Sequence, residues 1–164
     1  MWLNFRTTTE EDFEQIWQIY KNVTKDGDSY LDNPNNITKE YAYKKWLNKT
    51  SINIVAEFKE EVVGFYSLRH NFIDYGSHVA NGSYIISHKF RQKGFGKQLA
   101  LHSIDIAKDA GYKAMQFNFV LSTNVAAIKL WQSVGFKIIG TSPQSYQHQK
   151  LNKLVDSHIM HRFL

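Results

Sequence analysis

The residues of this chain whose types and spacing could do chemistry are concentrated in Arg91-Gln92-Lys93-Gly94-Phe95-Gly96, with Lys97 directly after. The run lies between a strand-like segment and the start of a helix, where unpaired backbone N–H groups and the helix dipole favour an anion. Glycine permits positive φ and lets phosphate oxygens approach the backbone, while Arg91, Lys93 and Lys97 add positive charge. The frame is not a Walker A loop, because no Lys-Ser/Thr pair follows, and it lacks the third glycine of a dinucleotide fingerprint. Taken alone, the six residues read equally well as a solvated strand-to-helix turn.

A second set lies on predicted strands. Asn81 and Asn118 sit among apolar or small neighbours and must find hydrogen-bond partners if buried. Two side-chain amides facing one gap would suit a carboxylate; the competing reading is that they satisfy backbone groups where strands separate. Asn124 and Trp131 are seven apart, about two helical turns, and so share one helix face. His158 and His161 are three apart in a predicted strand, on opposite faces, and suggest no metal site.

The elements that must position these residues follow from periodicity. Trp2 to Arg6 alternates as a strand, Thr9 and Asp12 form a capping signal, and Phe13, Ile16, Trp17 and Tyr20 follow helical spacing. Residues 24 to 36 are a polar loop, and Thr38 caps a second helix. Ile52 to Phe58 and Val62 to Leu68 form a hairpin; Asn71 to Ser77 is polar; His78 to Ser87 is a strand running into Arg91 to Gly96 and a helix ending at Gly111. Ala114 to Val120 is a strand, Ala127, Leu130, Trp131 and Val134 share a helix face, and Phe136 to Gly140 and Leu154 to Met160 close the chain around a loop, Thr141 to Lys153. The order predicts an α+β domain spanning 1–164, one central sheet covered by helices.

Composition agrees. The 164 residues are 43% hydrophobic and 15% aromatic, enough for one core. There is no cysteine, which excludes disulfides, thiolate metal sites and a thiol nucleophile and fits a reducing cytoplasm. No apolar run reaches the roughly 20 residues of a membrane span. The net charge of +5 is scattered rather than clustered, which speaks against nucleic acid and for a phosphorylated ligand.

Arg91, Gly94 and Gly96 resemble the acetyl-CoA motif of the GNAT superfamily, and Asn124, Ala127, Trp131 and Gly135-Phe136 resemble its second signature. The resemblance implies the GNAT fold, a mostly antiparallel seven-stranded sheet flanked by four helices, and acetyl-CoA as co-substrate without a metal. It implies that the strand around Tyr84, Ile85 and Ile86 binds the pantetheine arm through its backbone and that Gln92, Lys93, Gly94, Phe95, Gly96 and Lys97, beside Arg91, hold the pyrophosphate. Asn124 and Trp131 would flank the thioester in a gap between the strands at 78–87 and 114–120, and a backbone N–H near Ile86 would be the oxyanion donor. Direct attack of a neutral amine on the thioester is the family reaction.

Two departures stand out. Many relatives carry a tyrosine at position 131 as the acid; here it is Trp131, whose indole is no practical acid. No carboxylate occupies either strand of the gap, leaving His78, Asp28 or water as the base. Gly27-Asp28-Ser29-Tyr30, His78-Val79-Ala80-Asn81, Phe117-Asn118-Phe119-Val120 and Leu130-Trp131-Gln132-Ser133 look like a GNAT subgroup that acetylates small cyclic imino acids such as azetidine-2-carboxylate. That implies a small-molecule amine acceptor bound by Asn81 and Asn118 and covered by Tyr30 and the loop around Tyr146 and His148. A peptide or protein N-acetyltransferase and a catalytically silent acetyl-CoA-binding module are the alternatives. A homodimer, with neither nucleic acid nor membrane as partner, completes the expectation.

Overall fold

A computed structural model describes residues 1–164. The elements run β1 (Asn4–Thr7), α1 (Phe13–Asp26), α2 (Lys39–Trp46), β2 (Ile52–Phe58), β3 (Glu61–His70), β4 (Val79–Ile86), α3 (Phe95–Asp109), β5 (Ala114–Leu121), α4 (Val125–Ser133), β6 (Lys137–His148) and β7 (Lys153–Phe163). The strands form one seven-stranded sheet in the order β1-β2-β3-β4-β5-β7-β6, antiparallel except for β4 beside β5. The predicted α+β architecture, with seven strands and four helices, is what forms. No helix is long and apolar enough to cross a membrane.

Local chemistry sets the helix ends. The Asp12 carboxylate accepts from the Thr9 N–H at 2.8 Å just before α1, and α1 stops at Gly27, whose φ of +72° suits a residue without Cβ. The Thr38 hydroxyl accepts from the Tyr41 N–H at 3.1 Å and starts α2. Strand alternation then divides the core. Ile16, Tyr20, Ala42 and Trp46 pack with Phe65 and Ile85 on one face of the sheet, and Leu99, Ile104 and Trp131 pack with Tyr66, Met115 and Phe117 on the other.

One element differs from the sequence reading. Thr141 to Lys153 is not a loop, because β6 extends to His148 and only the tip turns. Polar residues and Pro143 are tolerated there because β6 is the edge of the sheet, and its register slips between Ser142 and Tyr146.

The feature that positions the site is the short parallel contact. β4 and β5 pair only at Val79 with Ala114 and Ala80 with Met115 and then separate, while β4 stays paired with β3 as far as Gly64 with Ile86.

Candidate active site

Where β5 leaves β4, the edge of β4 loses its ladder partner. Successive residues of an antiparallel strand direct N–H and C=O alternately to either side. The Tyr84 N–H donates to the Tyr30 hydroxyl at 3.1 Å, and that hydroxyl donates to the Tyr84 carbonyl at 2.6 Å. Tyr84 therefore faces the opening, and by the same alternation so do Gly82 and Ile86. The sequence reading grouped Tyr84, Ile85 and Ile86 as one backbone surface, and this is corrected for Ile85: its N–H and C=O face β3 at Phe65, and its side chain is buried under α1 and α2. Register, invisible in the sequence, makes the difference. Tyr30, expected to cover an acceptor, satisfies two backbone groups that the separation of strands would orphan.

The glycine turn leads into α3. Phe90 and Phe95 are buried against Val63 and anchor it, while Arg91 to Gly94 are exposed. Gln92 and Gly94 take φ of +60° and +78°, which turns the chain so that the first N–H groups of α3, at Phe95, Gly96 and Lys97, have no helical partner. A Cβ on Gly96 would lie 3.3 Å from Leu130 Cδ2 and 3.4 Å from Ile86 Cδ1, so this position lets α3 seat closely beside β4 and α4. The side chain of Phe95 is core, so only its N–H is open to a ligand. Arg91 also has a partner within the chain. Its guanidinium pairs with Asp26 at 2.9 Å, and His88 Nε2 meets the same carboxylate at 2.6 Å. Burial pushes the Asp26 carboxyl up, but hydrogen bonds from His88 and Arg91 outweigh it and hold the group below its ordinary range. Arg91 thus ties the turn to the end of α1.

Asn124 and Trp131 have separate jobs. The Asn124 Oδ1 accepts from the Ala127 N–H at 3.1 Å and caps α4, leaving its Nδ2 without a protein partner. Trp131 is 7% exposed, with ring centroids 4.7 Å from Tyr84, 4.5 Å from Phe117 and 5.3 Å from Phe136. It is a wall of the opening. The Tyr84 hydroxyl points away to Ser103 at 3.0 Å, and burial pushes that phenol up.

Asn81 and Asn118 do meet, through a residue the sequence reading did not single out. Both side-chain amides donate to Asn71 Oδ1, at 3.1 and 2.7 Å, and Gln116 donates to Asn118 Oδ1 at 3.0 Å. Alternation puts Asn81 on the α1 and α2 face of the sheet, beside Ser83 and Ile85. On that face the β6–β7 hairpin is tied to the loop after α1. The Tyr146 hydroxyl donates to the Gly27 carbonyl at 3.0 Å. His148 Nδ1 accepts from the Leu151 N–H at 3.2 Å, so its Nε2 carries the proton and donates to Asp28 Oδ1 at 2.6 Å. Phe119 meets Tyr146 edge-on at 6.1 Å, which places this bridge next to Asn118. Asp28 is therefore engaged, and His78 is exposed. No three His, Cys, Asp or Glu side chains gather as a metal-binding group.

Residues 10–136 match the model of the acetyltransferase (GNAT) family. The chain belongs to this family. A GCN5-related N-acetyltransferase from Kribbella flavida is 34% identical, with 99% of this chain and 98% of that chain covered and a TM-score of 0.93. N-acetyltransferase aca1 of Schizosaccharomyces pombe is 29% identical over 103 residues, 63% of this chain and 49% of that protein, so the chain spans about half of that relative's length. A phosphinothricin acetyltransferase from Sinorhizobium meliloti, solved with acetyl-CoA, shares the fold at 19% identity and a TM-score of 0.86 over 100% of this chain and 89% of that one.

As a GNAT chain it keeps the anion-suited turn, the open edge of β4 and the helix cap at Asn124 together, with the aromatic wall of Tyr84, Phe117 and Trp131 between them. The amides of Asn71, Asn81 and Asn118 lie at the vertex of the opening. Asn71 had one sequence signal: a polar stretch between two paired antiparallel strands must cross the end of the sheet where β3 stops and β4 begins.

Proposed function

We propose that this chain is an acetyl-CoA-dependent N-acetyltransferase that acts on a small amine carrying a carboxylate, an amino or imino acid. The observation that carries the reading is the separation of β5 from β4 after two pairs, which leaves Gly82, Tyr84 and Ile86 with unladdered backbone groups leading toward the N-terminus of α3. An extended, amide-bearing arm ending in phosphates fits that arrangement: amides add along the strand edge, and the phosphates end at the N–H groups of Phe95, Gly96 and Lys97. The close seating of Gly96 supports the fit. Gln92, Lys93 and Lys97 lie beside that site, and Asn124 Nδ2, which has no protein partner, offers the same ligand a donor at the start of α4. The bound co-substrate supplies an activated acetyl thioester.

Direction along the strand refines one role. Phosphates held at the N-terminus of α3 would lie beyond Ile86, so the thioester at the other end of the arm would fall further up β4. The oxyanion donor is therefore the Tyr84 N–H, and Ile86 serves an amide of the arm.

A small acceptor is favoured by the ties of Tyr146 to Gly27 and His148 to Asp28, which cross the α1 and α2 face and narrow access for a peptide. The amides of Asn81 and Asn118 each keep one N–H beyond that given to Asn71, and such donors suit a carboxylate. Calorimetry with acetyl-CoA followed by a consumption screen tests the reading, using azetidine-2-carboxylate, proline, polyamines and N-terminal peptides. Turnover confined to amino or imino acids is expected; peptide turnover would overturn the acceptor class. Binding without any turnover would make the chain a silent acetyl-CoA module.

A further inference from the structure

We propose that Tyr30 is the proton relay of the transfer, a role that rests on the acetyltransferase reading. Its hydroxyl is bonded to the open edge of β4, where it accepts from one N–H and donates to one carbonyl at the same time. A relay needs that two-handed geometry. The other candidates are turned away from this edge: Trp131 packs among aromatic rings, the Tyr84 hydroxyl is on Ser103, the Tyr146 hydroxyl is on Gly27, and His148 is on Asp28. Neither β4 nor β5 carries a carboxylate.

The ring of Tyr30 is held in place. It meets Tyr20 and Trp46 edge-on at 6.0 and 5.8 Å, and the Lys45 ammonium lies 5.1 Å from its centroid. When a thioester carbonyl takes the Tyr84 N–H, the Tyr30 oxygen is freed to accept, while its O–H stays on the Tyr84 carbonyl until it turns to sulfur. Burial pushes the phenol up, so it is a neutral hydroxyl before the step.

The step then balances without an ionised tyrosine. The amine nitrogen attacks the acetyl carbon and forms the C–N bond, and the C–S bond breaks with its electron pair going to sulfur. A proton of that nitrogen passes to the Tyr30 oxygen as the Tyr30 proton passes to sulfur. The products are the acetylated amine and the free thiol, with Tyr30 restored.

The test compares the chain with Tyr30→Phe. Calorimetry with acetyl-CoA reads the donor site: the variant is expected to bind equally well or up to about tenfold tighter, since an internal hydrogen bond that competes for Tyr84 is gone. Single-turnover acetyl transfer to azetidine-2-carboxylate, or to water if that acceptor is not used, is expected to fall about 100-fold. A rate within about threefold of the parent, or acetyl-CoA affinity weakened more than about tenfold, overturns the relay. If the variant does not fold, the parent decides: its single-turnover rate in mixtures of H2O and D2O is expected to curve with deuterium content, as two protons in flight require, and a linear dependence overturns the relay. Failure of the parent to bind acetyl-CoA at all would sink the acetyltransferase reading instead.

Discussion

The Asn118 side-chain amide donates to Asn71 Oδ1 at 2.7 Å, linking β5 to the segment after β3 at the vertex of the opening. Asn81 shares that acceptor. One oxygen thus orients two amide donors, and Asn71 is the residue on which the proposed carboxylate clamp depends. Asn71→Ala is expected to lower kcat/KM for a carboxylate-bearing acceptor about tenfold, since each hydrogen bond to a charged group is worth roughly 1.5–3 kcal/mol and only its orientation is lost. The dissociation constant of acetyl-CoA should not change. Asn81→Asp and Asn118→Asp should discriminate against the carboxylate but spare its uncharged amide. Equal losses with both acceptors would show that the amides only hold the strands.

Gly96→Glu should abolish acetyl-CoA binding. The new side chain starts 3.3 Å from Leu130 and 3.4 Å from Ile86 and brings negative charge to the helix N-terminus. Gly96→Ala meets the same two side chains with a methyl alone, and their flexible ends can yield. Calorimetry should therefore grade the two variants, with Ala retaining measurable binding; full binding by Gly96→Glu would remove the phosphate site from α3.

The pair of Arg6 and Asp12 gives a prediction for acid. Hydrogen bonds from Arg6 at 2.7 and 2.8 Å, together with the Thr9 N–H, hold the Asp12 carboxyl below its ordinary range despite burial. A depressed folded value contributes stability that is complete above the unfolded value, near about 4, and is lost as pH falls through the folded value. Arg6 is partly exposed, so the pair is screened and worth about 1–2 kcal/mol. Urea unfolding of Asp12→Asn should show that loss at pH 7 and a shallower decline below about pH 4. An unchanged acid limb would refute the assignment.

What the sequence disclosed was local. The turn at Arg91 to Gly96 and the Thr38 cap depend on residues a few positions apart, and residue type alone nearly determines their geometry. The relation between Tyr30 and Tyr84 spans 54 positions and depends on which backbone groups β5 abandons. Ile85 and Ile86 look alike in sequence and face opposite ways in the sheet, because only register assigns their N–H groups. Arg91 fits an anion motif by type, but its reach to Asp26 depends on where α1 ends. The outer part of β6, from Thr141 to His148, was hidden because Ser142, Gln144 and Ser145 are polar, as a solvent-facing edge permits.

The indole of Trp131 is no practical acid. In a cluster with Tyr84, Phe117 and Phe136, its indole works by filling space, since each neighbouring ring lies within 5.3 Å of it. Trp131→Phe keeps an aromatic face against all three rings, and most of the turnover should survive with a modest loss of stability. Trp131→Ala opens a cavity beneath β4 and is expected to cost about 3–5 kcal/mol. That cavity would let Tyr84 shift, and with it the N–H that faces the opening, so turnover should fall even below the temperature of unfolding. Paired measurements of thermal midpoint and single-turnover rate separate the two effects. If Trp131→Phe remained folded yet lost turnover as fully as Trp131→Ala, the indole N–H would be implicated in the chemistry and Tyr30 would not be the sole carrier of the proton.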